Sequence, residues 1–188
     1  MALQPEIAHT IFSQVTDFFI NHFTRLLEAA DGEIDLVFTA DDVAGQEGLL
    51  MSPEMWEEQV KPFHTKLNKV IHDFGAKVIY HSCGSVMRLV PGFIDMGVDI
   101  LNPLQFTAQN MDPATMKKLH GDRVAFQGGV SVQKTLLGSA EGVREEVEEL
   151  VRVLGKGGGY ILGPSHIIQL VTPPENILTM FDTALNMP

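Results

Sequence analysis

The chain has 188 residues, enough for about one domain with a buried core. Hydrophobic residues make up 45% and charged residues 20%, a globular composition that excludes an intrinsically disordered chain. The net charge of −11 argues against nucleic acid or an anionic membrane as a partner. No apolar run is long enough for a membrane helix, and the N-terminus has no signal-peptide pattern. The single cysteine, Cys83, excludes an intramolecular disulfide and predicts a cytoplasmic location.

Helical and strand patterns alternate along the chain. In chain order they predict a helix over 6–30, a strand over 34–44, a helix over 53–72, a strand over 77–83, a short helix over 85–97, a strand over 98–104, a helix over 113–120, a strand over 123–129, a helix over 140–154, a strand over 158–166 and a helix over 173–186. Ser52, Asp112 and Thr172 each stand before a proline. That pairing of an N-cap residue with a first-turn proline predicts a helix start.

Strands that are apolar almost throughout and separated by helices predict an α/β fold, with a parallel sheet covered on both faces. Two architectures fit, an open doubly wound sheet and part of a (β/α)₈ barrel. Polar residues gather at the carboxyl ends of the predicted strands, the edge where ligands bind in both architectures. The Gly-rich run at 155–159 precedes a strand and not a helix, so it does not predict a nucleotide site.

His81 and Cys83 form the sharpest pattern in the sequence. Residues i and i+2 of a strand point to the same face, so an imidazole and a thiol in this order can share one tetrahedral zinc ion. His166, at the end of the fifth predicted strand, is the best third ligand. Three protein ligands with an open fourth position are typical of a catalytic zinc site. The alternative is that Cys83 fills the core and His81 is a hydrogen-bonded residue at the rim.

Other polar residues at the same edge are candidates for catalysis and substrate binding. Asp41 and Asp42 close the first predicted strand. Adjacent side chains of a strand point opposite ways, so at most one of the two carboxylates faces the site. The alternative is that one of these acids caps a turn. Three amides and a glycine at the ends of the third and fourth strands are predicted to bind substrate: Asn102, Gln105, Gln127 and Gly128. The alternative for Gly128 is a strand-to-loop turn. The five histidines on predicted helices are interpreted as surface or packing residues: His9, His22, His64, His72 and His120.

Five segments resemble the uroporphyrinogen decarboxylase family: ADDVAGQEGLLMSPEMW (40–56), IYHSCGSV (79–86), FIDMGVDILNPLQ (93–105), DRVAFQGGV (122–130) and GGGYILGPSHIIQLVTPPENI (157–177). The last is the most specific, because a Gly-rich turn, a strand, a His or Cys and then T-P-P-E-N form a hallmark of that family. The resemblance covers nearly all residues from about 33 to the end. It implies a (β/α)₈ barrel with its site at the C-terminal mouth of the strands.

The resemblance also implies that residues 1–188 form one domain that is an incomplete barrel without its N-terminal strands. Family members are roughly twice as long, near the size of a complete barrel domain. An unclosed barrel leaves parallel edges unpaired. The chain is therefore expected to be a fragment, half of a split gene, or part of an assembly. In the assembly, a partner chain or a homo-oligomer completes the barrel.

The family contains zinc-dependent methyltransferases that move a methyl group from a corrinoid to a thiol. Their zinc is held by H-x-C and by a later Cys just before the T-P-P-E-N-like segment. His81 and Cys83 match the first two ligands, and His166 stands in the third place as a competent but less electron-donating ligand. The resemblance therefore favours zinc, a corrinoid methyl donor, and a small molecule or a corrinoid protein as the substrate partner.

The alternative from the same family is uroporphyrinogen decarboxylase of haem biosynthesis, which removes carboxylates from a cyclic tetrapyrrole without a metal. In that branch an Asp lies near the pyrrole N–H groups, and arginines of an R-Q-A-G-R stretch hold the carboxylates. This sequence has no such stretch. His166 fits both branches, so the distinction depends on His81 and Cys83. A third hypothesis is a non-catalytic half-barrel that needs a partner chain.

Overall fold

A computed structural model describes residues 1–187 as alternating helices and strands. The five strands are β1 Leu36–Ala40, β2 Lys77–His81, β3 Ile100–Leu104, β4 Ala125–Val130 and β5 Tyr160–Pro164. The α-helices are α1 Pro5–Ala30, α2 Pro53–Gln59, α3 Lys61–Asp73, α4 Val90–Asp95, α5 Pro113–His120, α6 Ala140–Leu154 and α7 Pro174–Leu185, and short 3₁₀ turns cover Met87–Leu89 and Thr135–Leu137. Within residues 1–187, none of these helices is long and apolar enough to cross a bilayer.

The strand order decides between the two predicted architectures. All neighbouring strands are parallel, and they follow the chain order β1-β2-β3-β4-β5 without a reversal. A doubly wound sheet reverses its order at a switch point, whereas a barrel keeps its strands in sequence. The prediction of a partial (β/α)₈ barrel with five parallel strands is therefore confirmed, and the doubly wound alternative is excluded.

The prediction that the sheet is covered on both faces is wrong for this chain. In β1, Val37 and Thr39 are buried, whereas Leu36, Phe38 and Ala40 are exposed. Residues paired in register on parallel strands point to the same face, and Phe38 pairs with Ile79 of β2. In a closed barrel this face is the interior, which further strands close off.

Prolines explain two differences between the predicted and the observed helices. The predicted helix over 53–72 is two helices, and Pro62 lies in the first turn of α3. Proline has no N–H to donate to the preceding turn, so a helix readily restarts there. Pro91 acts in the same way: the predicted helix over 85–97 is a 3₁₀ turn followed by α4, whose first turn contains Pro91.

Two of the three predicted N-caps are confirmed. The Ser52 hydroxyl accepts a hydrogen bond from the Met55 N–H at 3.1 Å, and the Asp112 carboxylate accepts one from the Thr115 N–H at 2.7 Å. The Thr172 prediction is wrong, because the N-cap of α7 is Pro173 and the buried Thr172 hydroxyl has no hydrogen-bond partner among residues 1–187. Two consecutive prolines there move the helix start one residue along the chain.

A buried aromatic cluster supports the part of the sheet that carries the polar edge. Tyr80 of β2 packs on Phe93 with ring centroids 5.1 Å apart, and Trp56 packs on Phe93 at 5.3 Å. All three side chains are fully buried. They lie on the helix-covered face of the sheet, opposite His81, which follows Tyr80 on the strand.

Candidate metal centre

The structure brings the three predicted metal ligands to one point. His81 ends β2, Cys83 lies two residues later, and His166 lies two residues after β5; their ligand atoms are all within 4.8 Å of one another. Two strands separate β2 from β5, and at ~4.8 Å per strand a flat sheet would hold their ends ~14 Å apart. The barrel-like curvature of the sheet therefore closes the ligand set.

His81 is oriented by a hydrogen bond on the side of its ring that faces away from Cys83. Its Nδ1 lies 2.7 Å from the Asn102 side-chain oxygen, and Asn102 in turn donates to the Gln127 amide oxygen. An Nδ1–H that donates to Asn102 leaves Nε2 with its lone pair. That Nε2 lies 3.4 Å from the Cys83 sulfur. The hydrogen bond between Nδ1 and Asn102 therefore orients the ring in the way typical of metal-binding histidines.

The loop that carries Cys83 is held by its backbone. Four consecutive N–H groups, those of residues 82–85, each have an acceptor in another part of the chain: the Asn102 carbonyl, the Asp42 carboxylate, the Gln105 amide oxygen and the Gly45 carbonyl. A buried backbone N–H without a partner is costly, so each of these bonds restrains the loop. The backbone that carries the Cys83 side chain is thereby restrained.

The chemistry of the three donors fits a zinc ion. Two imidazole nitrogens and one cysteine sulfur are ligands that zinc prefers. In a tetrahedral site with bonds of ~2.0–2.3 Å, ligand atoms lie ~3.3–3.8 Å apart, and the His81–Cys83 separation of 3.4 Å matches this range. Burial and the neighbouring Asp42 carboxylate raise the pKa of the Cys83 thiol to about 11. A bound cation would favour the thiolate instead.

The two predicted catalytic carboxylates point to different neighbours. Asp42 lies at the centre, because its Oδ1 accepts the Cys83 N–H at 2.8 Å and lies 3.8 Å from the His81 Nε2. Asp41 instead pairs with the Nε2 of His64 at 3.3 Å. One carboxylate thus faces the site. Both residues follow β1, which ends at Ala40, so the conformation of the loop, and not the alternation of a strand, sets their directions.

The residues predicted to bind substrate lie at the same edge, but their side chains mainly contact the protein. Asn102 and Gln127 form the hydrogen-bonded chain behind His81, and Gln105 is only 6% exposed. Gly128 has a φ of +109°, and a Cβ there would lie 3.0 Å from the Leu104 nitrogen. The close approach of the neighbouring strand β3 therefore explains why this position is a glycine. The substrate contacts of these residues stay predictions.

Sequence reasoning missed two residues next to the site. His64, interpreted as a surface or packing residue, has a largely buried side chain and contacts Asp41. Gln46 donates to the Gln105 amide oxygen at 2.9 Å. The only sequence signal for Gln46 is its place shortly after the first predicted strand, where loop residues reach the ligand edge.

Comparison with known proteins identifies the family. The family model described as uroporphyrinogen decarboxylase (URO-D) matches residues 1–187. Uroporphyrinogen decarboxylase from Psychromonas ingrahamii is 27% identical over 192 residues, covering 98% of this chain and 50% of that protein. The same enzyme from Crocosphaera subtropica is 26% identical over 186 residues, covering 96% and 48%. The chain spans about half the length of these curated relatives.

A solved structure agrees with the fold. A methyltransferase from Methanosarcina mazei superposes with a TM-score of 0.71 at 24% sequence identity, over 90% of this chain and 46% of that protein. At this identity the similarity establishes the shared fold, since one fold hosts many activities.

Gly84 allows us to predict how strongly the Cys83 loop is held. Its φ is +87°, and a Cβ there would overlap the Gly45 carbonyl, with the carbonyl carbon only 2.8 Å away. Gly75 has nearly the same φ of +83° but no atom within 4 Å of the added Cβ. We expect Gly75→Ala to lower the free energy of unfolding by ~1–2 kcal/mol, from backbone strain alone. Gly84→Ala should cost ~1–3 kcal/mol more, from the steric overlap.

Urea unfolding of the two variants and the unmodified chain measures this difference. Equal losses of unfolding free energy in the two variants would show that the loops around Gly84 shift easily to accommodate the added methyl group. Such loops would not restrain Cys83.

Proposed function

Because the chain belongs to the uroporphyrinogen decarboxylase family, we propose that it is the zinc-binding part of an enzyme that transfers a methyl group from a corrinoid to a thiol. The observation that carries this proposal is the convergence of two imidazoles and a thiol, with ligand atoms within 4.8 Å of one another, at the ligand-binding edge of the sheet. A site that binds only the carboxylates or N–H groups of a substrate does not need a cysteine. The presence of Cys83 in this set therefore favours a metal site.

In this proposal, His81, Cys83 and His166 hold the zinc ion. Zinc bound there would lower the pKa of a thiol substrate, so that its sulfur is nucleophilic at neutral pH. In the overall reaction the acceptor thiol loses its proton and a carbon–sulfur bond forms. The carbon–cobalt bond of the donor breaks, and its electron pair stays on the cobalt.

The other residues of the edge position the substrate and accept the proton. Asp42 has a half-exposed carboxylate 3.8 Å from the His81 Nε2, and we assign it the proton released by the acceptor. Asp41, paired with His64, supports the loop behind it. Asn102 holds His81 in place, and Gln127 offers polar atoms to the substrate at the strand ends. Orientation of two substrates in one mouth supplies the remaining rate enhancement.

The second candidate is uroporphyrinogen decarboxylase itself, which the names of the curated relatives favour. The carboxylate of Asp42 would then face the pyrrole N–H groups, and no metal would be needed. The two candidates separate in direct assays. Methylation of a thiol by a methylated corrinoid, dependent on zinc, supports the first. Consumption of a porphyrinogen by metal-free protein supports the second.

The first prediction of the proposal concerns zinc content. We expect the purified chain to bind one zinc ion, measured by elemental analysis and by competition with a chelating dye. Cys83→Ser, His81→Ala and His166→Ala should each weaken binding strongly, because each removes one of three ligands. His22→Ala, which removes an exposed histidine of α1, is the control and should bind like the unmodified chain. The proposal would be contradicted if the chain bound no zinc, or if Cys83→Ser bound zinc as tightly as the unmodified chain.

The second prediction concerns pH. The pKa of the Cys83 thiol is raised to about 11, so near neutral pH zinc must displace its proton. One released proton makes the apparent association constant for zinc rise about tenfold per pH unit below that pKa. Competition titrations between pH 7 and 9 measure the slope. Cys83→His, which supplies a nitrogen ligand, should show a shallower rise. An equally steep rise in both proteins would rule out Cys83 as the proton source.

The open face of the sheet supports a proposal about partners. Phe38 is 54% exposed and Ile161 44%, and within residues 1–187 the strands β1 and β5 each pair on one side only. The exposed side of α7 is apolar as well, at Leu178, Phe181 and Leu185. We propose that a polypeptide like the other half of the family fold covers these surfaces with about three more parallel strands.

A complementation experiment tests this partner. The N-terminal half of the Psychromonas relative, mixed with this chain, should form a one-to-one complex in size-exclusion chromatography with light scattering. Phe38→Lys places a charge on the covered face and should prevent the complex. Leu119→Lys changes an exposed leucine of α5 and should not. The proposal would be contradicted if the chain formed no complex with the added half, or if Phe38→Lys formed the complex as the unmodified chain does.

A further inference from the structure

Gln105 follows β3 and has a buried side chain whose amide makes four hydrogen bonds. Its oxygen accepts the Gly84 N–H at 2.7 Å and the Gln46 side-chain amide at 2.9 Å. Its nitrogen donates to the Ser165 carbonyl at 3.1 Å and to the Cys83 sulfur at 3.5 Å. A primary amide has two acceptor lone pairs and two N–H groups, so these four contacts use all of them.

These four contacts join segments that the sheet does not join. Cys83 and Gly84 belong to the loop after β2, and Ser165 directly precedes the metal-ligand candidate His166 in the loop after β5. Two strands lie between β2 and β5, so no ladder hydrogen bond can connect the two loops. Among the hydrogen bonds of residues 1–187, those of Gln105 are the ones that bridge them.

We propose that Gln105 is a positioning residue of the metal centre, whose amide sets the separation of Cys83 and His166 before a metal ion binds. This inference rests on the zinc site of the proposed function. It assigns Gln105 to the protein framework and not to the substrate, because a saturated amide has no donor or acceptor left for a ligand. Residues that hold ligands in place typically change metal affinity without contacting the metal.

Gln105→Glu is the sharpest test, because it preserves the size of the side chain. The carboxylate still accepts from Gly84 and Gln46. It places an oxygen against the Ser165 carbonyl and the Cys83 sulfur, where the amide nitrogen had donated. Gln133→Glu is the matched control, since Gln133 is an exposed glutamine whose side-chain oxygen accepts a hydrogen bond from the Thr107 hydroxyl.

Two measurements are made on the full chain. Zinc affinity, from competition with a chelating dye, should fall about 10–100-fold in Gln105→Glu and stay unchanged in Gln133→Glu. The absorption spectrum of the Co²⁺-loaded chain reports ligand geometry. We expect the thiolate-to-cobalt charge-transfer band of Gln105→Glu to weaken or shift even when the site is saturated with cobalt. A merely structural role would lower stability and leave this band unchanged.

The outcomes separate this inference from the proposed function. Unmodified chain that binds no zinc overturns both. Zinc binding that depends on Cys83, together with wild-type affinity and cobalt spectrum in Gln105→Glu, overturns the role of Gln105 alone.

Gln46→Ala covers the case in which Gln105→Glu does not fold. That variant removes one of the four bonds to the amide and leaves the core in place. We expect a smaller loss of zinc affinity and the same direction of spectral change. Wild-type values for both would overturn the inference.

Discussion

The parallel pairing of five strands in chain order is the constraint on which the rest of the structure depends. Parallel strands that follow one another in sequence end at one edge of the sheet, so the loops after β1, β2, β3 and β5 meet there. Curvature of the sheet then brings the ends of β2 and β5 together. A flat sheet with the same strands would leave Cys83 and His166 too far apart to share an ion.

Hydrogen bonds from strand β3 and from the neighbouring loops hold the predicted ligands in place. The backbone N–H groups of residues 82–85 bond to four different partners, two of which are the side chains of Asp42 and Gln105. Each such bond contributes only about 1 kcal/mol, but removal of one partner leaves a buried N–H unsatisfied at higher cost. The loop that carries Cys83 is therefore held by groups whose hydrogen-bonding capacity is already used within the protein.

The open face of the sheet adjoins the candidate metal centre. His81, Asn102 and Gln127 stand on the same face as the exposed Phe38 and Ile161. Register pairs His81 with Asn102 and Gln127 with Ile161, and Asn102 donates a hydrogen bond to Gln127. The candidate metal centre therefore lies at the rim of a surface that is apolar and, in this chain, open to water. Closing that surface would exclude water from the mouth and strengthen every polar interaction at the rim.

Local patterns in the sequence determined the strands, most helix starts and the pairing of His81 with Cys83, because caps and the alternation of a strand act over a few residues. The same patterns failed where two prolines displaced the start of α7 and where Pro62 divided a helix. Only the tertiary structure decided that His166 reaches His81, that Asp42 and not Asp41 faces the site, and that the Gln105 amide is saturated. Those facts depend on sheet curvature and on hydrogen bonds between distant loops, which no short window of sequence contains.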